Sequence, residues 1–310
     1  MANILLSHSA FILNSFENIS ELLSEINITV DIARKGGDHV FGNYHVGEIN
    51  TNLGVTILDC ACKPFNEVSQ TIPHLTNDAH KTIIKLLWMT SETPMNSYTL
   101  EDLNIEFNGQ HNGLLGLSFN PSMNSDLEIT NEKTWFNFHR QYFVEHTPSR
   151  QDFVESVKDY FPNLHFSSSI ASGLANFQGI TYPEIVKTII YHLTALNDDF
   201  IELFEVHHSE GADSVCDMLE AKFSSLDNSL GASRDANGIV ELLFKFTDDA
   251  RIVREFDCNL HTKFESYFEL LNPNHTLKSN RIYFHQPTND FMKGKVLIGK
   301  IGRHRETGFH

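Results

Sequence analysis

The 310-residue chain is poor in cysteine, with residues only at 60, 62, 216 and 258. Four cysteines cannot staple a chain of this length, so a disulfide-framework domain is excluded and a reducing compartment is expected. Only Cys60 and Cys62 lie close together, in "DCAC". Cys216 and Cys258 do not form a second pair at zinc-ligand spacing, so all four are expected as free thiols. Long apolar runs are missing too. No window reaches the ~18 continuous apolar residues of a spanning helix. The opening "MANILLSHSAFIL" has no basic start, and Ser7, His8 and Ser9 interrupt its apolar run, unlike a signal peptide. A cytoplasmic protein without membrane contact is expected.

Positive charge is also short. Lys and Arg number 23 against 40 Asp and Glu, a net charge of −17. A field of that sign repels polyanions and argues against a general nucleic-acid binder. The shortage is uneven, however. From His261 to His310 there are eight basic and four acidic residues, a net of +4, which leaves −21 on the rest. Such asymmetry points to a local polyanion site, or to a protein or internal partner for the acidic N-terminal part.

Apolar and aromatic residues are abundant. Phe contributes 24 residues, enough for aromatic packing to dominate a core. The length predicts two domains, taken as 1–175, a mixed α/β region, and 176–310, helices followed by a sheet. The fold class expected is α+β. "SFENISELLSEI" reads as a helix entered at Ser15, and "LTNDAHKTIIKLLWMT" as one capped at Thr76 or Asn77. "VFGNYHVGEI" and "GVTILDCAC" read as strands. "LNIEFNGQHNGLLGLSF" reads as two strands about an Asn-Gly turn. "TPSRQDFVESVKDYF", "TYPEIVKTIIYHLTALNDDFIELFEVHH" and "ADSVCDMLEAKFSSL" make the middle helical. "DNSLGASRDANG" reads as a loop. "IVELLFKF", "RIVREFDCNLHTKFE", "RIYFH" and "KVLIGKIG" then predict a four-stranded antiparallel meander.

Alternation in that sheet sorts its chemistry. One face of "EFDCNLHTKFE" carries Asp257, Asn259, His261, Lys263 and Glu265, and one face of "RIYFH" carries Arg281, Tyr283 and His285. If the two strands pair, their polar faces coincide, gathering His261, Lys263, Arg281, Tyr283 and His285 on one solvated surface. Strict alternation from Val296 puts His304 on the apolar side, and a bulge at Gly299 or Gly302 would turn it around. Such a set suits RNA cleavage at the 2′-hydroxyl. Histidine serves both proton steps, and Arg and Lys bear on the phosphate oxygens. No metal or cofactor is required.

"NRIYFH…GKVLIGKIGRH", residues 280–304, resembles the C-terminal strands of the RelE/HigB-type ribosome-dependent mRNA-interferase toxins. The closing motif here is Ile301, Gly302, Arg303 and His304. The resemblance implies endonucleolytic RNA cleavage by basic and histidine side chains on the sheet, in a bacterial toxin or phage-defence effector. The expected catalytic residues are His261, His304, Lys263 and Arg281. Tyr283, His285, Lys295, Lys300 and Arg303 are the expected nucleic-acid contacts. Toxins of that family are shorter and basic, whereas this chain is acidic.

Three other possibilities remain open. A solvated antiparallel face ordinarily carries His, Lys, Arg and Thr without any further role. The chain could instead be a non-catalytic nucleic-acid- or protein-binding subunit of a defence or mobile-element complex. A metal hydrolase built on His207, His208 and Glu205 is the third, but adjacent helical histidines diverge by ~100° and make poor co-ligands.

Overall fold

The first strand, β1 (Asn3–Leu6), is buried at all four positions. A strand buried on both faces belongs in a parallel sheet covered on both sides, and that is what a computed structural model of the chain contains. The model describes residues 2–6, 19–42, 55–72, 74–90, 99–116, 127–177, 179–223, 230–235, 242–264 and 280–304. The helix start at Ser15, most of "VFGNYHVGEI" and the tail beyond His304 lie outside them. The protein is α+β. Its chain divides into two units, Met1–Tyr142 and Phe143–His310. The expected boundary at 175/176 falls inside the second unit.

In the first unit, α1 (Ile19–Lys35) follows β1 and leads to β2 (His39–Phe41). Next come α2 (Ile57–Cys62), α3 (Phe65–Thr71), α4 (Asn77–Thr90) and α5 (Leu100–Glu106). The unit closes with β3 (Asn112–Leu115), β4 (Glu128–Ile129) and α6 (Glu132–His146), which runs past its end. The sheet order is β2-β1-β3-β4, and every pairing is parallel.

Two expected strands are helices instead, and their caps explain why. Thr56 Oγ1 accepts from the Asp59 N–H at 3.0 Å, and the Asp59 carboxylate accepts from the Thr56 N–H at 3.1 Å. This reciprocal box starts α2 across "ILDCAC", so Cys60 and Cys62 lie on a helix, Cys60 buried and Cys62 exposed. The same box between Thr99 and Asp102 starts α5. The expected hairpin is therefore a helix, a turn at Gly109 and a parallel strand. For α4, Thr76 is the cap, accepting from the Ala79 N–H at 3.1 Å.

The second unit contains α7 (Arg150–Tyr160), β5 (Leu164–Phe166), α8 (Ile170–Gly173) and α9 (Tyr182–Thr194). A π-helical turn, Ala195–Phe200, carries α9 into α10 (Ile201–His207), and α11 (Ala212–Phe223) follows. The strands are β6 (Gly231–Arg234), β7 (Leu243–Thr247), β8 (Val253–Asp257), β9 (Leu260–Phe264), β10 (Asn280–His285) and β11 (Val296–Arg303).

In place of the expected meander, the described strands make a mixed five-stranded sheet, β5-β11-β10-β9-β6, and a separate hairpin of β7 and β8. β11 runs antiparallel to β10 but parallel to β5. "RIVREFDCNLHTKFE" is two strands, because the chain breaks at Cys258 and Asn259. There the Cys258 N–H turns to Leu242 O at 2.9 Å, and Asn259 O accepts from the Asp235 N–H at 2.8 Å. The loop "DNSLGASRDANG" hides β6, whose small residues carry no strand signal of their own.

Both faces of this sheet are covered. On one, Phe200 meets Phe284 edge-on at 5.2 Å, and His192 Nδ1 bonds Thr262 Oγ1 at 2.9 Å. On the other, Phe244 and Phe246 of the hairpin join Cys258, Tyr283, Phe291 and Leu297 in one apolar cluster. Each such ring or aliphatic chain contributes roughly 1.5–3 kcal/mol by leaving water.

Candidate functional site

The register of β9, β10 and β11 decides which side chains meet. Tyr283 stands opposite His261 on one side and Lys300 on the other. Arg281 stands opposite Lys263. The pairing expected from alternation therefore forms. The expected solvation does not. His261 is 1% exposed, Tyr283 0% and Arg281 9%. Lys263 and Arg303 are exposed, and Lys300 is half-buried.

A bulge brings His304 into this group. Tyr283 pairs with Lys300, but Phe284 pairs with Ile298, so Gly299 is the extra residue. A side chain at 299 would overlap the Phe244 ring and approach Cys258 Sγ to 2.9 Å, so only glycine fits beneath the hairpin. The bulge resets the alternation of β11. Half-buried His304, one residue past β11, then shares a 2.8 Å hydrogen bond between its Nδ1 and Tyr283 Oη.

Three members of the expected set stand elsewhere. His285 pairs with Leu297, bonds Gln286 O through Nδ1 at 2.7 Å and lies 5.2 Å from the Phe256 ring. Lys295 precedes β11 at the same far end. Arg303 pairs with Asn280, one rung out of phase with Arg281, so it belongs to the opposite face.

Two residues that sequence reasoning missed complete the cluster, Ser233 on β6 and Asp235 just after it. Arg281 Nη1 donates to both oxygens of Asp235, at 2.9 and 2.7 Å. Ser233 Oγ lies 3.0 Å from His261 Nε2, and His261 Nδ1 lies 3.6 Å from Asp235 Oδ2, too far for a hydrogen bond. Burial, and then the Arg281 charge, lower the His261 pKa to about 3, so the ring is neutral at pH 7. The Arg281 guanidinium also lies over the Tyr283 ring, 5.9 Å from its centre.

Beside β6 opens a cleft of about 390 Å³ lined by Asp213, Cys216, Asp217, Ser233, Arg234 and Asp235. Arg234 is held by Asp213 at 2.6 Å. Of its three carboxylates, Asp213 is paired with Arg234 and Asp235 with Arg281. Burial, with Asp213 next, raises the Cys216 thiol pKa to about 12, which makes it inert as a nucleophile.

The expected metal-type residues do not converge. His207 bonds Glu210 at 2.7 Å, and His208 bonds the backbone oxygen of Glu205 at 3.3 Å. Among the described residues, no group of three or more His, Cys, Asp or Glu could hold a metal ion. No helix among them is long and apolar enough to cross a membrane.

Comparison with protein-family models, with curated proteins and with solved structures finds no match for this chain.

Proposed function

We propose that the second unit binds RNA at the β10–β11 end of its sheet and cleaves it there without a metal ion, as a toxin-like or phage-defence endoribonuclease. The observation that carries this reading is the Tyr283–His304 hydrogen bond, set in a face that also holds Lys263, Arg281 and Lys300. His304 takes the proton of a 2′-hydroxyl as its oxygen attacks phosphorus. It then returns the proton to the departing 5′-oxygen. The products are a 2′,3′-cyclic phosphate and a 5′-hydroxyl. Tyr283 Oη orients the imidazole, while Lys263 and Lys300 bring positive charge to the phosphate oxygens. His261 is buried and neutral, so its part is to support Ser233 and Tyr283 rather than to touch substrate.

The test is cleavage of naked and ribosome-loaded mRNA by the full chain in EDTA. Cyclic-phosphate ends are expected, with a loss of about a hundredfold or more in His304→Ala. Intact RNA in both settings, or undiminished cleavage by the variant, would overturn the assignment.

A second reading, a non-catalytic nucleic-acid- or protein-binding subunit, draws support from one observation: Asp235 already neutralises Arg281. On that reading RNA is retained but not cut. Lys263→Ala and Lys300→Ala would then each lower the salt dependence of binding by about one phosphate contact.

A further inference from the structure

His261 does not touch RNA in the proposed function, but it does touch a serine. β6 is the edge strand of its sheet. Ser233 on that strand stands opposite His261 of β9, and its Oγ lies 3.0 Å from the ring Nε2. The other ring nitrogen, Nδ1, has no hydrogen-bond partner and lies 3.6 Å from Asp235 Oδ2. A lone pair facing a carboxylate would be repelled, so the nitrogen on that side keeps its proton. Nδ1–H therefore faces Asp235, and Nε2 accepts from the Ser233 hydroxyl. Serine, imidazole and carboxylate stand in the order that an activated nucleophile requires. The 3.6 Å gap is of the kind that closes only when substrate is bound.

The serine opens on a cavity. Ser233 and Asp235 line the cleft of about 390 Å³ between β6 and α11. The strand edge supplies an amide donor there. The Asp235 N–H turns inward to Asn259 O at 2.8 Å, whereas the Ala232 N–H turns outward to Glu220 of α11 at 3.0 Å. Strand N–H groups alternate in direction, so that of Arg234, next to the serine and two residues past Ala232, also points to the α11 side. An oxyanion formed at Ser233 would meet that N–H. Of the carboxylates lining the cleft, Asp213 and Asp235 are paired with arginines. Asp217 is exposed and paired with no described residue, so it is left to attract a cation.

We propose that Ser233 is an acyl-transfer nucleophile with His261 as its base, and that the cleft takes a carboxylic ester carrying a positive charge. Ser233 Oγ bonds the ester carbon as its proton passes to His261 Nε2. The bond from that carbon to the alcohol oxygen then breaks, and the alcohol leaves with the proton. Water repeats both transfers on the acyl-serine, which releases the carboxylic acid and restores the hydroxyl. Asp235 is a positioning residue that holds the Nδ1–H tautomer. Burial and the Arg281 charge keep the ring unprotonated, which is the accepting form, but they also make it a weak base. Turnover is therefore slow, and a covalent adduct is the sharper readout. The site needs neither His304 nor RNA and does not rest on the RNA reading.

The test treats the full chain with a small fluorophosphonate, which loses fluoride to an activated serine, and maps the adduct by peptide mass. One adduct per chain is expected, on Ser233, formed about tenfold or more faster than in the urea-unfolded chain. Ser233→Ala should abolish it, and the map of the native chain decides the matter even if that variant fails to fold. Asp235→Asn should slow acylation by p-nitrophenyl acetate about tenfold with KM unchanged, a split that a loosened cleft would not give. Acetylcholine should show a KM about fivefold below that of its uncharged isostere, 3,3-dimethylbutyl acetate, and Asp217→Asn should erase the difference. No adduct, an adduct on another residue, or equal labelling of folded and unfolded chains would overturn the assignment of Ser233. Equal KM values for the two esters would overturn the cationic substrate class.

Discussion

The two units bury ionisable groups in opposite ways. In the first, the charged form of a carboxylate is kept. Burial alone would raise the Asp38 pKa, but His139, Trp135 and the Ala2 N–H together bring it below its ordinary value. In the second, the neutral form of imidazole is kept. His192 is wholly buried and lowered to about 3 by that burial, and His261 is lowered to about 3 by burial and Arg281. The difference follows from the donors available. A parallel sheet with Trp135 and His139 on a covering helix can surround an anion. At the second sheet His192 meets a hydroxyl and no carboxylate, and beside His261 the one carboxylate, Asp235, is already taken by Arg281.

The comparison can be broken most directly at Asp38. Asp38→Ala strips three donors of their acceptor and should cost about 3–5 kcal/mol. Trp88 and Trp135 both lie in the first unit, so the urea transition followed by tryptophan fluorescence should shift sharply. A change of under ~1 kcal/mol would mean that the network does not hold the unit together.

Acid should separate the units next. For His192 and His261 the folded pKa lies below the unfolded one, near 6.5. Below about pH 6.5 the unfolded chain therefore binds more protons, and the second unit loses up to about 1.4 kcal/mol per pH unit for each histidine, down to about pH 3. The Asp38 contribution persists until the pH falls below the ordinary carboxylate range and through its lowered folded pKa. Between pH 6.5 and about 4.5, hydrogen exchange in β9–β11, corrected for intrinsic rates, should accelerate while the tryptophan-detected urea midpoint holds. Parallel loss in both units would erase the distinction.

A smaller effect tests the hairpin cover. Gly299→Ala drives a methyl group into Phe244 and should cost about 1–3 kcal/mol, seen as faster exchange in β7 and β8. The smallest effect is expected at Lys81→Ala. Its 3.1 Å pair with Asp78 is largely exposed, and the urea midpoint should change by no more than about 0.5 kcal/mol.

Several elements were legible in the sequence because their signals are local. Ser149 and Thr76 cap the helices that follow them. Alternation put His261, Lys263, Arg281 and Tyr283 on one face, and the register of the structure sets His261 opposite Tyr283 and Lys263 opposite Arg281. Gly299 and Gly302 were both readable as bulges, and the register shift falls at Gly299. Other elements misled because a local signal was ambiguous. "TILDCAC" has strand composition, but one capping box outweighs it. "GASRD" has turn composition, but pairing along β9 makes Gly231–Arg234 a strand and delivers Ser233 and Asp235 to the cluster.

The sequence by itself determined the α+β class, the entry of several helices, the shared face of the central strands and the concentration of positive charge near the end of the chain. Periodicity, caps and composition act over a few residues and can be read along the chain. Tertiary structure alone decided that the first sheet is parallel, that the polar face of the second is buried, that Asp235 takes the Arg281 charge, and that Ser233 meets His261. Each of these depends on partners between 14 and more than 100 residues apart. No local pattern specifies which distant group will arrive.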